Sequence, residues 1–270
     1  MTVVSRMFIA SAIGAAIFAA ACGGGSSKSA TSTPEAAASP GASASAARGT
    51  PPGLSTPVAA VTTGSGQTGT TLTAEQAKTL LDNASLTPKD LPTGWTVMAD
   101  TVQDNALAAS ADPSHAASIE RCGRLLGRTV SNQPADVVTA YLGGETVSFF
   151  STLTAYATAA GAIDCSLETV QRYTQPGEFA RAFGQLFIDP NAVKVTTVDY
   201  PQVGDGSFAA TLEGLISAAG TQVDLTILVV AFRDGNVTGA VGSAAQAAPM
   251  TAELKPYVDL VLQRVNAALQ

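Results

Sequence analysis

A stretch of small residues limits where this 270-residue chain can fold. Between residues 23 and 70, all but seven positions are Gly, Ala, Ser, Thr or Pro, and only three of the seven are aliphatic: Leu54, Val58 and Val61. Such a composition buries too little apolar surface to offset the entropy lost on ordering, so it predicts a disordered tether. As a flexible coil, its ends would lie roughly 35–40 Å apart on average.

An apolar run that ends at a cysteine precedes this tether. Arg6 is the one charged side chain in the first six residues, and residues 7–21 carry no charge. This run is short for a membrane-spanning helix, which takes ~20 residues, but it suits the apolar region of a secretory signal. Three alanines, residues 19–21, supply small residues for a cleavage site directly before Cys22.

The junction resembles the signal of bacterial lipoproteins, whose mature chain begins at a lipid-modified cysteine. Ala19 stands where that family favours Leu. The resemblance implies lipidation at Cys22, export, and anchoring to the lipid bilayer at the outer face of the plasma membrane. The alternatives are an ordinary secreted protein cut nearby and an uncleaved anchor. We therefore interpret residues 1–21 as a signal peptide, 22–72 as the lipidated Cys and a disordered linker, and 73–270 as the folded domain.

Acidic residues dominate the folded part. From residue 71 onward, 11 Lys and Arg stand against 20 Asp and Glu, a net charge of −9, whereas the whole chain carries −7. Nucleic acids select basic surfaces, so this balance argues against nucleic acid as a partner. It also argues against electrostatic docking on anionic lipid.

Hydrophobic periodicity and turn residues predict the elements of the folded part. Thr73 and Gln76 have the spacing of a capping box at the start of a helix. Helices are predicted at about 74–83, 116–126, 177–187 and 254–269, and strands at 137–142, 145–156, 193–200, 207–216, 222–232 and 236–241, with a hairpin turn at Asp234–Gly235. This order predicts one α+β domain, a mainly antiparallel sheet with helices packed on it. Residues 225–232 are apolar on both faces, as expected of a covered central strand.

Three segments carry a second resemblance: LTPKDLPTGW (86–95), YPQVGDGSFAA (200–210) and VVAFRDGNVTGAV (229–241). They resemble a family of envelope lipoproteins that is similar to the extracellular sensor domain of certain bacterial serine/threonine kinases and to proteins of the PsbP-like fold. The resemblance implies an antiparallel sheet with packed helices and a non-enzymatic or unknown role. Members often carry two disulfides, whereas this domain has cysteines for one.

Two cysteines remain in the folded domain, Cys122 and Cys165. In an exported protein we expect them to form a disulfide. The alternatives are two free buried thiols and a catalytic thiol. A metal site would need more ligands, and His115 is the only histidine in the chain. A catalytic role for His115 would need a nucleophile, and no Gly-x-Ser-x-Gly motif supplies one. We predict a surface position for His115, because its setting, ADPSHAAS (111–118), is typical of a surface loop that leads into a helix.

Arg121, Arg124 and Arg128 recur at helical spacing and form the only basic cluster of the sequence. They are candidates for docking an anionic ligand or partner; the alternative is a solvated helix face. Residues 203–206, Val-Gly-Asp-Gly, lack the Lys-Ser/Thr of a phosphate-binding loop and predict a tight turn between strands. Trp95 is interpreted as part of the core. No catalytic residue, metal site or cofactor is predicted.

These features predict a membrane-anchored, non-enzymatic cell-envelope lipoprotein. Its domain would act as a sensor or binding module for a small amphiphilic ligand or an envelope protein. The alternatives are a secreted hydrolase-like enzyme and a purely structural envelope protein. The sequence does not identify the ligand.

Overall fold

A computed structural model describes residues 71–105, 116–136, 146–165, 187–189, 192–218, 221–246 and 251–270 of the chain. Within these ranges a seven-stranded antiparallel sheet carries helices, so the predicted single α+β domain is confirmed. The helices are α1 (Ala74–Ala84), α2 (Ala116–Arg121), α3 (residues 159–165) and α4 (Thr251–Leu269). The strands are β1 (Trp95–Asp104), β2 (Arg124–Pro134), β3 (Thr146–Tyr156), β4 (Lys194–Thr197), β5 (Gly206–Ala218), β6 (Thr221–Asp234) and β7 (Val237–Ala245).

The strands lie in the order β1-β2-β3-β7-β6-β5-β4. Two antiparallel meanders, β1 to β3 and β4 to β7, therefore meet where β3 pairs with β7. The long edge strand is β1, and the other edge is the four-residue β4. Because every neighbouring pair is antiparallel, residues opposite each other in the register share one face of the sheet.

The first face of the sheet is covered by α1 and α4. The predicted capping box opens α1, because the Thr73 side chain accepts from Gln76 N–H while the Gln76 side chain accepts from Thr73 N–H. The apolar stripes of both helices face the sheet, as predicted. The buried helix residues on this face are Ala77, Leu80, Leu81 and Ala84 of α1 and Leu254, Val258, Val261, Leu262 and Val265 of α4.

An ion pair ties the turn after α1 to α4. Pro88–Asp90 forms a single 3-10 turn, and Arg264 Nη1 donates to the Asp90 carboxylate at 3.0 Å. Burial alone would raise the pKa of Asp90, but hydrogen bonds from Arg264 and from Thr87 outweigh it and hold the pKa below its ordinary value. The predicted turn over these prolines is confirmed. Trp95 follows it and stacks on Phe149, with ring centroids 5.0 Å apart.

Strand β6 is buried on both faces, as its apolar sequence predicted. Leu228 and Val230 belong to the core under the helices, whereas Ile227 and Val229 belong to a separate core on the second face. Alternation of side chains along the strand produces this division. The central position of β6 between β5 and β7 makes both faces available for packing.

Two adjacent turns at the end of the sheet share one carboxylate. Gly235, at φ 52°, completes the predicted hairpin between β6 and β7. The predicted turn at residues 203–206 is also present, with Gly204 at φ 58°. The Asp205 carboxylate accepts from Gly235 N–H at 3.0 Å and from Arg233 Nη1 at 2.9 Å, which fastens the two turns together.

The predicted helix over residues 116–126 is wrong in its second half. Helix α2 ends at Arg121, and β2 begins at Arg124. Gly123, at φ 60°, makes the reversal between them, a backbone conformation that suits glycine. Strand β1 was not predicted. The predicted strand at 137–142, most of the predicted helix at 177–187, His115, Cys22 and the tether lie outside the described residues.

Candidate ligand-binding site

The second face of the sheet is divided into two halves. The half over β5, β6 and the outer part of β4 is apolar, and Phe187 covers it. The ring of Phe187 occupies the place that a side chain on Gly214 would take. A Cβ added to Gly214 would come within 2.6 Å of Phe187 Cδ1. The core residues that these strands contribute to this half are Leu212, Ile216, Leu225, Ile227 and Val229. We call this region the apolar half.

Over β2 and β3 the same face carries mostly polar side chains, although Val147 and Phe150 of β3 join the second-face core. The register pairs Thr129 with Thr152 and Ser131 with Phe150, and Phe150 belongs to the second-face core. Side chains two residues apart on these strands therefore point to the same face. We call the resulting row the hydroxyl strip, and it consists of Thr129, Ser131, Gln133, Ser148, Thr152 and Thr154.

Three polar atoms of the strip are buried without a hydrogen-bond partner in the described part of the chain. They are Ser131 Oγ, Ser148 Oγ and Gln133 Oε1. Ser131 and Ser148 are 0% and 1% exposed. Native proteins satisfy the large majority of such atoms, so this cluster requires an explanation. Thr129 and Thr152, by contrast, bond to each other through their hydroxyls at 3.1 Å.

Phe150, the one large apolar side chain in the row, leans away from β2. A Cβ added to Gly242 on β7 would come within 2.6 Å of Phe150 Cε1, so the ring lies over β7. Glycine at this position is what admits the ring.

A guanidinium group marks one end of the strip. The Arg124 guanidinium lies over Gly127, close to Thr154. A Cβ added to Gly127 would come within 2.6 Å of Arg124 Nη2 and 3.6 Å of Thr154 Oγ1. Arg124 Nη2 donates to Gln103 Oε1 at 3.0 Å, while its Nε is buried without a partner in the described residues. Burial raises the pKa of nearby Tyr156, and the charge of Arg124 acts in the opposite direction.

The three arginines predicted as one cluster are separated by the fold. Arg128 lies on the first face, where it donates to Asp82 at 2.7 Å and to Asp100 at 2.8 Å. Two carboxylates therefore neutralise it. Arg121 is exposed at the end of α2. The helical spacing behind the predicted cluster is wrong, because Arg124 and Arg128 belong to a strand.

The expected disulfide between Cys122 and Cys165 is present. Cys122 is buried and packs with Tyr156 and Ala162, so the bridge joins the turn before β2 to the end of α3. The sequence separation of 43 residues corresponds to a stabilisation of ~4 kcal/mol in the chain-entropy model. The bridge fixes the backbone two residues before Arg124.

Other kinds of site have less support in the described ranges. No group of three His, Cys, Asp or Glu residues there could hold a metal ion. No helix within those ranges is long and apolar enough to cross a membrane. Within the described ranges, the polar strip and Arg124 bring four buried, unpartnered polar atoms to one region of the sheet, and the other such atoms belong to Asn105, Asn132 and Tyr200.

Comparison with known proteins does not assign a family. No protein-family model matches the chain, and no curated protein matches it. One similar solved structure is the extracellular domain of PknH from Mycobacterium tuberculosis, at 12% identity and a TM-score of 0.41, covering 73% of this chain and 98% of that chain. A likeness this distant assigns no function, which has to be argued from the residues of this chain.

Sequence reasoning missed the hydroxyl strip. One signal was present: Ser148, Thr152 and Thr154 occupy alternate positions in a predicted strand, which places them on one face. Their partners on β2 could not be recognised, because Thr129 lay beyond the predicted helix and Ser131 in no predicted element. Of the predicted docking residues, only Arg124 lies beside the strip.

Proposed function

We propose that the protein is a lipid-anchored, non-enzymatic binding or sensor module of the cell envelope, and that its ligand contacts the hydroxyl strip. The observation that carries this proposal is a row of polar side chains on one sheet face. Its residues Ser131 and Ser148 have no hydrogen-bond partner in the described part of the chain, and Thr152, Thr154 and Arg124 beside them are only half-buried, within reach of a ligand. The anchor would be Cys22, and the tether would hold the domain away from the bilayer.

The described fold supplies no hydrogen-bond partner for these hydroxyls. A buried polar atom without a partner costs about 1–3 kcal/mol, so a chain selected only for stability gains by replacing it. Binding supplies the missing partner and turns the cost into affinity and selectivity. Small amphiphilic ligands and segments of an envelope protein both offer the required polar groups.

Binding explains the strip better than catalysis does. A serine hydroxyl becomes a nucleophile when a neighbouring base accepts its proton. Ser131 Oγ and Ser148 Oγ have no such partner in the described part of the chain, and Thr129 is bonded to Thr152. A hydrolase-like enzyme, the alternative function, would need a base there.

The binding proposal is tested by native mass spectrometry of the full chain purified from its own cell envelope. We expect a bound species with the wild-type protein and its loss in the double variant Ser131→Ala/Ser148→Ala. The matched control is Ser151→Ala on the first face, where the hydroxyl already accepts from Leu86 N–H at 3.0 Å. An equal bound fraction in the double variant and the wild type would contradict the proposal. The absence of any bound species from the wild-type protein would favour the alternative of a purely structural protein.

The anchor is tested by labelling growing cells with a fatty-acid analogue. Wild-type protein is expected to incorporate the label, and Cys22→Ser is expected to lose it, because the thiol is the site of attachment. Equal labelling of both proteins would overturn the anchor while leaving the binding proposal intact.

A further inference from the structure

We propose that the outer edge of β1 binds an extended, basic segment of an envelope protein, which adds to the seven-stranded sheet as a further strand. This edge is a surface separate from the hydroxyl strip, so the inference goes beyond the proposed function. Three features of β1 support it: unpaired backbone groups, exposed valines beside them, and acidic charge.

Hydrogen bonding between β1 and β2 shows which backbone groups of β1 turn outward. Gly94 O, just before β1, accepts from Ala135 N–H, just after β2, at 2.7 Å. In an antiparallel pair, alternate residues exchange both backbone bonds with the residue opposite. On β2, the odd-numbered residues from Gly127 to Gln133 therefore turn toward β1. Pro134, which has no N–H, falls on a position that turns away from β1.

Asp100 and Val102 turn their N–H and C=O groups away from β2. They lie opposite Val130 and Arg128, whose backbone groups turn toward β3. Within the described residues, no strand pairs with β1 on its other side, and no turn or loop bond involves Asp100 or Val102. Their N–H and C=O groups are therefore open to an added strand, which binds through main-chain hydrogen bonds.

The side chains at this edge are accessible to a partner. Val97 is 48% exposed and Val102 is 42% exposed, and both lie on the first face. Asp100 lies on the same face, where its carboxylate accepts from Arg128 and remains 40% exposed. Helix α1 packs over β2 and β3, so these side chains of β1 are left to solvent. An added strand would remove apolar surface of both valines from water, which favours binding.

The opposite edge of the sheet lacks these features. Strand β4 has four residues, and its Lys194 forms an ion pair with Glu213 at 3.1 Å. Short edge strands and lysines are common means by which proteins prevent strand addition. Strand β1 has ten residues and contains no lysine or proline. Its register shift lies between Val97 and Ala99, and the residues after it pair regularly with β2.

Charge selects a basic partner. Strand β1 carries Asp100 and Asp104 and no basic residue, and the chain from residue 71 onward carries a net charge of −9. Opposite charges on facing residues of neighbouring strands stabilise their pairing. A lysine or arginine opposite Asp100 would share its exposed carboxylate with Arg128. The acidic domain would also attract a basic segment at a distance.

A second copy of the chain suits this edge less well. Two domains that each carry a net charge of −9 repel each other. Pairing of two β1 strands about Val102 would place Asp100 of one copy opposite Asp104 of the other, and like charges in facing positions destabilise a sheet. The partner segment therefore differs from β1: it has a β-branched residue opposite Val102, a basic residue opposite Asp100 and a polar residue between them, opposite the exposed Thr101.

The inference is tested by calorimetric titration of the full chain with a synthetic peptide, Lys-Thr-Val-Thr-Lys-Thr-Val, blocked at both ends. In antiparallel pairing its valines face Val102 and Val97, and its lysines face Asp104 and Asp100. We expect this peptide to bind wild-type protein. The same peptide with glutamate in place of both lysines should bind about 10-fold more weakly or worse, because like charges then face each other. Equal affinities would overturn the basic character of the partner.

Two N-methylated forms of the peptide separate backbone pairing from charge. Methyl groups on the first valine and the second lysine remove the N–H groups that would point at β1, and should weaken binding about 10-fold or more. Methyl groups on the first two threonines block only the outer edge of the peptide, and should leave its affinity within about threefold. Equal losses from the two forms would overturn strand addition.

Variants of one residue test the position of the partner. Val102→Pro removes an N–H that does not bond to β2, and should abolish binding of the peptide. Val102→Lys adds a positive charge at the same place and should weaken binding about 10-fold, which keeps the test valid if Val102→Pro does not fold. The matched control is Thr196→Lys on β4, which adds the same charge at the other edge and should leave the affinity within about twofold of wild type. Equal losses from Val102→Lys and Thr196→Lys would overturn the assignment to β1.

Hydrogen exchange measured by nuclear magnetic resonance locates the bound peptide. The peptide should slow exchange of the Asp100 and Val102 N–H groups about 10-fold or more, because they gain hydrogen-bond acceptors. The N–H groups of Thr101 and Gln103 turn toward β2 and should exchange at unchanged rates. Slowed exchange elsewhere in the sheet, with Asp100 and Val102 unchanged, would overturn the inference.

The outcomes distinguish this inference from the proposed function. Ser131→Ala/Ser148→Ala should bind the peptide as wild type does, and Val102→Lys should keep the bound species seen by native mass spectrometry. A bound species without peptide binding would overturn the edge site and leave the proposed function. Peptide binding without a bound species would support the edge site and contradict the role of the hydroxyl strip. A dimer of the wild-type chain that Val102→Lys dissociates would overturn the basic segment in favour of a second copy.

Discussion

The two halves of the second sheet face share one backbone geometry and differ in chemistry. The apolar half, over β5 and β6, buries Leu212, Ile227 and Val229 against Phe187. The hydroxyl strip, over β2 and β3, places serines and threonines at equivalent positions of the pleat. Both halves contain residues that are nearly or completely buried. Apolar side chains are buried in one half of this face, and polar side chains are buried in the other.

Under the proposed function, stability and ligand contact fall on different strands of one sheet. In the apolar half, every buried side chain gains free energy on leaving water, about 25 cal/mol per Å². In the strip, Ser131 and Ser148 bury polar atoms that gain nothing from the described fold. The apolar half and the core under α1 and α4 must therefore supply most of the stability.

The largest expected effect comes from truncating the apolar half. Ile227→Ala should lower the free energy of unfolding by about 3 kcal/mol, because Ile227 is 0% exposed and the change leaves a cavity beneath β5 and β7. Urea unfolding followed by circular dichroism measures the change. Ser131→Ala, the equivalent truncation in the strip, should leave stability unchanged or raise it.

Similar losses from both truncations would remove the distinction between the two halves. A large loss from Ser131→Ala alone would show that the serine hydroxyl has a structural partner, and the binding proposal would then lose its main observation. The disulfide stays intact in both variants, so Cys122 and Cys165 do not contribute to the difference.

Sequence patterns predicted the second meander and the helical layer well. The hairpin at Asp234–Gly235 and the apolar stripe of α4 depend on residues close in sequence, which periodicity and turn chemistry capture. The double-sided burial of β6 followed from an uninterrupted apolar run. The capping box of α1 is likewise a local signal, and the structure reproduces it.

The first meander was harder to predict: β3 was predicted, but β1 and β2 lack those signals. Strand β1 is an edge strand with exposed Val97 and Val102, so its alternation of apolar and polar residues is poor. The register of β1 also shifts between Val97 and Ala99. The spacing of the arginines suits a helical period and predicts helix at the start of β2, and the reversal at Gly123 carries no strong sequence mark.

The candidate site depends on long-range pairing, which one sequence does not reveal. Thr129 and Thr152 lie 23 residues apart and meet only through the register of β2 and β3. Arg124 joins them because its side chain folds back over Gly127. The predicted arginine cluster failed for the same reason: the faces of Arg124 and Arg128 are fixed by strand pairing and by Gly127, not by spacing along the chain.

A smaller loss of stability than that of Ile227→Ala is expected for the bonded pair within the strip. Thr152→Val removes one hydroxyl and leaves that of Thr129, a residue 4% exposed, without its partner, so we expect a loss of about 1–2 kcal/mol. Thr129→Val should cost a similar amount or less, because Thr152 is only half-buried. The double variant should be less destabilised than the sum of the two, since both polar groups are then absent. Urea unfolding of the wild type, the two single variants and the double variant measures these losses. Additive losses would show that the two hydroxyls act independently, and Thr129 and Thr152 would then behave like the unpartnered Ser131 and Ser148.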